Sequence, residues 1–291
     1  AIRRKKYKSP IILICCKKIL INQMKKNKYK KKFKILKMSE LKNYKLKNNE
    51  INLINVECKK KGNNFVAKLN NEYLRKSFDL ALKIIKNNIS YKMINGPVNK
   101  KSFLQKKFLG ITEYISKKYK VKNTGMLIYN KKLSVCPLTT HLPIKLVAKN
   151  ITKKFFEEKI QIINSFYKMT LKYKPNIGVT GLNPHCESIL SFNEDENIII
   201  KAVRSQKNKG VNVKGPYPAD TIFLRKNRKK FDVIIGMYHD QVLTPIKSIF
   251  GFNAINVTLG LPFIRISPDH GPNTEMIGKN RSNPQSLIKA I

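Results

Sequence analysis

Between Asp232 and Gly271 the chain twice runs through a short apolar, β-branched stretch, Val233 to Met237 and Ala254 to Leu259. Each breaks into a polar cluster, Tyr238-His239-Asp240-Gln241 and Pro262-Phe263-Ile264-Arg265. Strands of this kind are buried on both faces, and an α/β sheet binds its ligands in the loops at their ends. His239 and His270 fall in this stretch, and the chain's other histidines, His141 and His185, follow apolar runs in the same way. One histidine at a strand end is usually a satisfied structural group. Four at four strand ends are the pattern of a site, and three converging imidazoles would form a divalent-metal site.

The same alternation runs through the rest of the chain. Pro10 to Cys16 reads as a strand, the stretch to about Lys26 as a helix and Phe33 to Leu36 as a second strand. Ile51 to Val56 alternates apolar and polar residues and predicts a half-exposed strand. Leu74, Phe78, Leu82 and Ile85 mark the buried face of a helix, and Lys92 to Asn95 is a strand ending in the turn Gly96 to Lys100. Gly110-Ile111-Thr112-Glu113 opens a helix, with Thr112 placed to cap it or to meet an anion at its positive end. Gly125 to Tyr129 and Leu133 to Leu138 form a hairpin-like unit that delivers Thr139, Thr140 and His141. Thr152 caps a helix with Phe155, Phe156, Ile160, Ile163 and Tyr167 inward, and Asn176 to Thr180 delivers Asn183 and His185. The acidic cluster Glu194-Asp195-Glu196 is structural, favoured by the dipole at a helix start. Pro216 and Pro218 fix the loop holding Asp220 and Thr221. The alternation predicts an α/β class with a mostly parallel sheet. No Gly-x-Gly-x-x-Gly, Walker or Gly-x-Ser-x-Gly motif is present, so Rossmann, P-loop and nucleophile-elbow readings have no support.

Charge raises a different class. Lys+Arg number 60 against 17 Asp+Glu, a net charge of +43. The lysines are spread over nearly every segment and accompany abundant Asn and Ile, which points to drift under an AT-rich genome more than to a nucleic-acid interface. Five cysteines without CxxC spacing fit a reduced, cytoplasmic setting. The apolar run Pro10 to Cys16 is far short of the ~20 residues a membrane span needs. The chain opens at Ala1 and stops at Ile291 within a helix begun near Gln285, as a piece of a longer protein would.

Eight segments together resemble the 4-hydroxythreonine-4-phosphate dehydrogenase family of vitamin B6 biosynthesis. They are Gly96 to Lys100, Gly110 to Glu113, Thr124 to Leu127, Thr139-Thr140-His141-Leu142-Pro143, Gly181 to His185, Gly215 to Thr221, Met237 to Gln241, and Asn256 to Arg265 with Asp269-His270-Gly271. The resemblance implies two α/β domains with a cleft between them, as in isocitrate and isopropylmalate dehydrogenases. Residues 1–105 plus 255–291 would form the first domain, and 106–254 the second, with the metal and dimer contacts. It also implies a homodimer whose site takes residues from both subunits. By the same resemblance His141, His185 and His239 bind a divalent metal (zinc, magnesium or cobalt), and Ile111, Thr112, Lys247, Asn256 and Arg265 hold the substrate. Gly271, Gly278 and Asn283 border NAD or NADP.

The implied reaction is metal- and NAD-dependent oxidation of 4-phosphohydroxy-L-threonine followed by decarboxylation. Asp220 and Asp240 are candidates for proton acceptor or for orienting a ligand histidine. Departures from the family pattern are Ile111 in place of its usual His, Cys186-Glu187-Ser188 after His185, Val242 after Gln241, Pro272-Asn273 after Gly271, and the absence of its Gly-rich N-terminal segment. Ile111 cannot hydrogen-bond an anion, which keeps open a sister enzyme acting on a phosphorylated threonate or erythronate. A basic nucleic-acid-binding protein on a decayed enzyme scaffold is the reading from another class; no specific nucleic acid and no membrane partner are expected.

Overall fold

The structure, a computed structural model, describes residues 7, 9–58, 71–99, 103–104, 108, 110–272, 274–276, 279 and 281–291. Strands β1 (Ile12–Cys15), β2 (Phe33–Ile35) and β3 (Ile51–Asn55) form a parallel sheet in the order β1-β3-β2, with α1 (Lys17–Lys26) crossing between the first two. β3 is therefore the central strand, and its alternation does not expose one face. Asn52 is 1% exposed. Its amide donates to Ile11 O (3.2 Å) and Lys47 O (2.9 Å), which lets a polar residue sit inside.

Helix α2 (Asn71–Lys86) buries Phe78, Leu82, Ile84 and Ile85 on the predicted face. It packs on α3 (Ile111–Lys118) through an aromatic group in which Phe78 stacks on Phe103 at 5.2 Å and Tyr114 meets Phe103 edge-on at 5.3 Å. The N-cap of α3 is Gly110, without a side-chain bond, so Thr112 lies inside the first turn and not at the cap.

The larger sheet runs β4-β11-β10-β5-β6-β9-β7-β8. Its strands are β4 (Lys92–Ile94), β5 (Gly125–Tyr129), β6 (Ser134–Pro137), β7 (Ile177–Thr180), β8 (Val213–Tyr217), β9 (Val233–Gly236), β10 (Ile255–Leu259) and β11 (Ile264–Pro268). β6, β9, β7 and β8 are mutually parallel, so their carboxyl ends share one edge. β10 is antiparallel to both β5 and β11, and Arg265, expected in a polar cluster after β10, lies within β11 opposite Thr258. β5 and β6 share only the pair Ile128–Val135. Beyond it the start of β5 and the end of β6 part, and the sheet opens.

Helices α4 (Lys153–Phe166) and α5 (Lys201–Asn208) cover one face, where Phe156, Ile160, Ile163, Ala202, Val179, Val233 and Ile235 share a core. α6 (His239–Phe250) packs against Ile128, Val135 and Ile234 within a second cluster, and α7 (Gln285–Ala290) ends the chain. Thr152 caps α4 as expected, its hydroxyl accepting from Phe155 N at 3.3 Å. Thr152→Ala is expected to lower stability by about 0.5–1 kcal/mol, the lower part of the range for caps, read from the urea midpoint. Among the described residues no helix is long and apolar enough to cross a membrane.

Candidate active site

The shared carboxyl edge collects most of the candidate residues. β6 leads to Thr139 and His141, β9 to His239 and Asp240, β7 to Asn183 and His185, and β8 to Asp220. Gln241 binds the ends of β7 and β9 together. Its Oε1 accepts from Thr180 Oγ1 (2.8 Å) and Met237 N (2.7 Å), and its Nε2 donates to Gly181 O (2.8 Å). Thr139 closes the set by donating its hydroxyl to Met237 O at 2.7 Å.

His141 and His239 come together, their ring centroids 6.3 Å apart and their planes inclined by 33°. His239 Nδ1 lies 2.6 Å from Asp240 Oδ1, an arrangement that holds the proton on Nδ1 and leaves Nε2 as the lone-pair nitrogen. His141 Nδ1 is buried without a hydrogen bond, with Glu113 Oε1 3.5 Å away. Gly110 makes that approach possible, because a Cβ there would stand 2.6 Å from Glu113 Oε2 and 3.2 Å from the His141 ring. Two imidazoles so disposed fit a borderline divalent metal by donor type.

His185 is exposed and in the left-handed region at φ 57°. Among the described residues no set of three His, Cys, Asp or Glu side chains gathers in metal-binding geometry. The loop presenting His185 is nonetheless firmly held. Asp195, fully buried, accepts from Leu182 N (2.8 Å) through Oδ1, and from Asn183 N (3.0 Å) and Nδ2 (2.9 Å) through Oδ2. Its place at a helix start is as expected; its function is to clamp this loop. Asp220 is exposed and acts electrostatically on the Cys186 thiol, which burial pushes up to about 11.

A cavity of about 450 Å³ occupies the opening between β5 and β6, lined by Thr112, Glu113, Gly125, Thr139, His141 and Lys159 among others. Ile111 does not line it and packs instead among Phe78, Phe103 and Phe263. Arg265, 3% exposed, donates from Nε to Asn95 Oδ1 (2.8 Å) and from Nη1 to Thr258 Oγ1 (2.9 Å). Burial pushes its guanidinium down to about 10, with Glu113 opposing. Asn256 Oδ1 is buried without a hydrogen-bond partner. Lys247 Nζ donates to both the Asp269 carbonyl (2.6 Å) and its carboxylate, so the structure finds it already engaged. Burial raises the Asp269 carboxyl above the usual aspartate value, and Lys247 partly offsets this.

Of the candidates for the nicotinamide side, Gly271 is exposed, Asn283 accepts from Gln285 N (2.9 Å) at the start of α7, and Gly278 lies outside the described residues.

Sequence reasoning passed over Lys159. It is 2% exposed on the buried face of α4. The signal was there, since Lys159 sits three residues after Phe156 and four before Ile163 on an otherwise apolar stripe. Burial lowers its pKa from 10.5, with Cys136, Glu158 and Glu113 opposing. The folded protein thus releases this proton at lower pH than the unfolded chain, which binds more protons in between, so stability rises with pH through that window. Relative to Lys159→Met, the wild type is therefore expected to gain stability as pH climbs from the lowered folded-state pKa toward 10.5. Urea midpoints of the two proteins across that range measure it, and a constant difference would contradict the burial of a charged amine.

The family model for Pyridoxal phosphate biosynthetic protein PdxA matches residues 6–291. The 4-hydroxythreonine-4-phosphate dehydrogenase of Sulfurihydrogenibium sp. is 39% identical over 203 residues, 68% of this chain and 62% of the relative. That of Neisseria meningitidis serogroup A is 36% identical over 229 residues, 76% of this chain and 70% of the relative. The chain thus spans less than two thirds of the first of these curated relatives. The crystal structure of 4-hydroxythreonine-4-phosphate dehydrogenase from Klebsiella pneumoniae superposes with a TM-score of 0.81 at 25% identity, covering 97% of this chain and 88% of that one. A family match over nearly the whole length, a shared α/β fold and motif histidines drawn to one sheet edge agree, and the chain belongs to the PdxA family of pyridoxal phosphate biosynthetic proteins.

Proposed function

We propose that the protein oxidises 4-phosphohydroxy-L-threonine with NAD and a divalent metal, giving 2-amino-3-oxo-4-phosphooxybutanoate, which loses carbon dioxide to 3-amino-2-oxopropyl phosphate. The observation that carries this reading is the pair His141 and His239, 6.3 Å apart, with His141 lining a cavity large enough for a small phosphorylated acid. A bound divalent metal supplies Lewis acidity, lowering the pKa of a coordinated alcohol and stabilising charge on the neighbouring oxygen.

The chain's own residues supply the rest. Asp240 fixes the tautomer of His239, and His141 presents a second imidazole. Arg265 makes no hydrogen bond from Nη2 among the described residues and can offer that edge to a carboxylate or phosphate. Lys247 reaches the substrate by exchanging out of its bonds to Asp269. Thr112 offers a hydroxyl to the cavity, and Asp220, not tied to an imidazole, is the candidate proton acceptor.

The third imidazole, His185, comes in this reading from a second copy of the chain, which completes the site as a homodimer. The exposed apolar residues Ile189, Leu190 and Phe192 that follow His185 support that assembly. The two-domain division belongs to the same proposal. The packing of α3 on α2 favours a boundary after α3, somewhat later than the one read from sequence.

The burial of Ile111 away from the cavity favours one second reading, a sister reaction on a phosphorylated sugar acid. NADH formation with 4-phosphohydroxy-L-threonine, compared with phosphorylated threonate and erythronate, decides between them. Turnover of the hydroxythreonine that chelator removes and zinc, magnesium or cobalt restores is the expected result. Turnover only with the sugar acids would overturn the substrate assignment, and chelator-resistant turnover the metal.

A further inference from the structure

We propose that Lys159 is a substrate-positioning residue whose ammonium, in the opening between β5 and β6, binds an anionic oxygen group of the ligand, carboxylate or phosphate. The proposal rests on reading the cavity there as the substrate site.

The hydrogen bonds of Lys159 are too few for a charge so deeply placed. Nζ donates to Thr124 O at 2.6 Å and lies 5.0 Å from the centre of the Phe155 ring. An ammonium has three donors, and this is the one hydrogen bond it makes among the described residues, with no ion pair there. The acidic groups that act on it are Cys136 on β6, Glu158 on α4 and Glu113 on α3. A desolvated cation with one neutral acceptor is a net loss for the fold, and an apolar side chain of similar length would be the more stable choice.

The surroundings keep room for it on the cavity side. A Cβ at Gly125 would stand 3.2 Å from Lys159 Cδ and 3.3 Å from Nζ, so the first residue of β5 is one that does not crowd the ammonium. Lys159, Thr112, Thr139 and His141 line the same cavity, which places a cation and hydroxyl groups beside an imidazole already read as a metal ligand. An anionic group entering there would meet the unused donors of a charge that needs no further desolvation.

The test is thermal stability in inorganic phosphate and, separately, in acetate, at about 0.15 M salt, where the Debye length of about 8 Å screens the general positive field. Wild type is compared with Lys159→Met, Lys159→Arg and Lys149→Met. The last removes one exposed charge at the rim of the same cavity.

Without anion, Lys159→Met is expected to unfold at the wild-type temperature or higher, which a purely structural role for the Thr124 bond would not allow. With anion, the wild type, Lys159→Arg and Lys149→Met gain stability, and Lys159→Met needs at least about tenfold more anion for the same gain. Dependence on Lys159 for phosphate alone or acetate alone assigns the group it binds. No anion effect on the wild type, or an equal effect in Lys159→Met, overturns the proposal. Phosphate binding through Lys159 in a protein that forms no NADH refutes the proposed reaction and keeps Lys159 only as an anion-binding residue of another ligand's site, which overturns its substrate-positioning role in that reaction.

Discussion

His239→Ala is expected to lower metal-dependent NADH formation by at least ~10³-fold, the equivalent of about 4 kcal/mol at 1.36 kcal/mol per decade. The substitution deletes one of the two imidazoles that approach each other, and it leaves Asp240 with no ring to orient. Because α6 begins at His239, alanine is tolerated there and the helix is expected to stand, so circular dichroism should not change. Asp240→Asn is the graded companion. It keeps the shape but weakens the hold on Nδ1, and a 10–100-fold loss of metal affinity is the usual scale for such a change. Metal titration followed by turnover at saturating metal separates the two variants. Wild-type rates in His239→Ala would remove the metal from the proposed reaction.

The largest stability effect is expected from Asp195→Ala. Removing the fully buried carboxylate strips Leu182 N and Asn183 N, themselves partly buried, of their acceptor. Buried donors left unpaired cost about 1–3 kcal/mol each, so a loss of roughly 2–5 kcal/mol follows. At about 2–4 °C per kcal/mol for a chain of this size, the unfolding midpoint should fall by roughly 4–20 °C. Asp195→Asn retains one acceptor and should fall between. A drop under about 1 kcal/mol in the alanine variant would show that the loop finds other partners. The space around Gly181 argues that it does not, since a Cβ there would lie 2.7 Å from both Asp195 Oδ1 and Cys186 Sγ.

Much of this architecture was legible because local periodicity and burial coincide. The stripe of α2, the strands flanking α1, the cap at Thr152 and the strand ends carrying His141, His185 and His239 lie where apolar runs and breaks put them. The misreadings share a cause: the deciding partner is remote in sequence. Asn52 reads as the exposed face of a half-exposed strand until Ile11, 41 positions away, supplies a carbonyl and β1 and β2 pair with both edges of β3. Arg265 looks like a loop residue until Asn95, 170 positions away, holds it within β11. The engagement of Lys247 by Asp269 and of Asp195 by the β7 loop depends on where helices land, which no local pattern specifies. The three candidate histidines stand out in the sequence as a motif, and among the described residues His141 and His239 are the pair that meet.

The parallel run of β6, β9, β7 and β8 also bears on how this protein carries so much positive charge. The segments entering these strands hold Lys131, Lys132, Lys172, Lys174, Lys209, Lys229 and Lys230, while those leaving them hold no lysine before Lys145, Lys247, Lys201 and Lys226 respectively. A strand of four or five residues is about 13–17 Å long at roughly 3.3 Å per residue. That exceeds the Debye length of about 8 Å at physiological ionic strength, so a cation on the entering edge is largely screened from the leaving one. The sheet therefore acts as a spacer: one rim carries the lysines, and the other keeps the weaker positive field in which the proposed metal would be held.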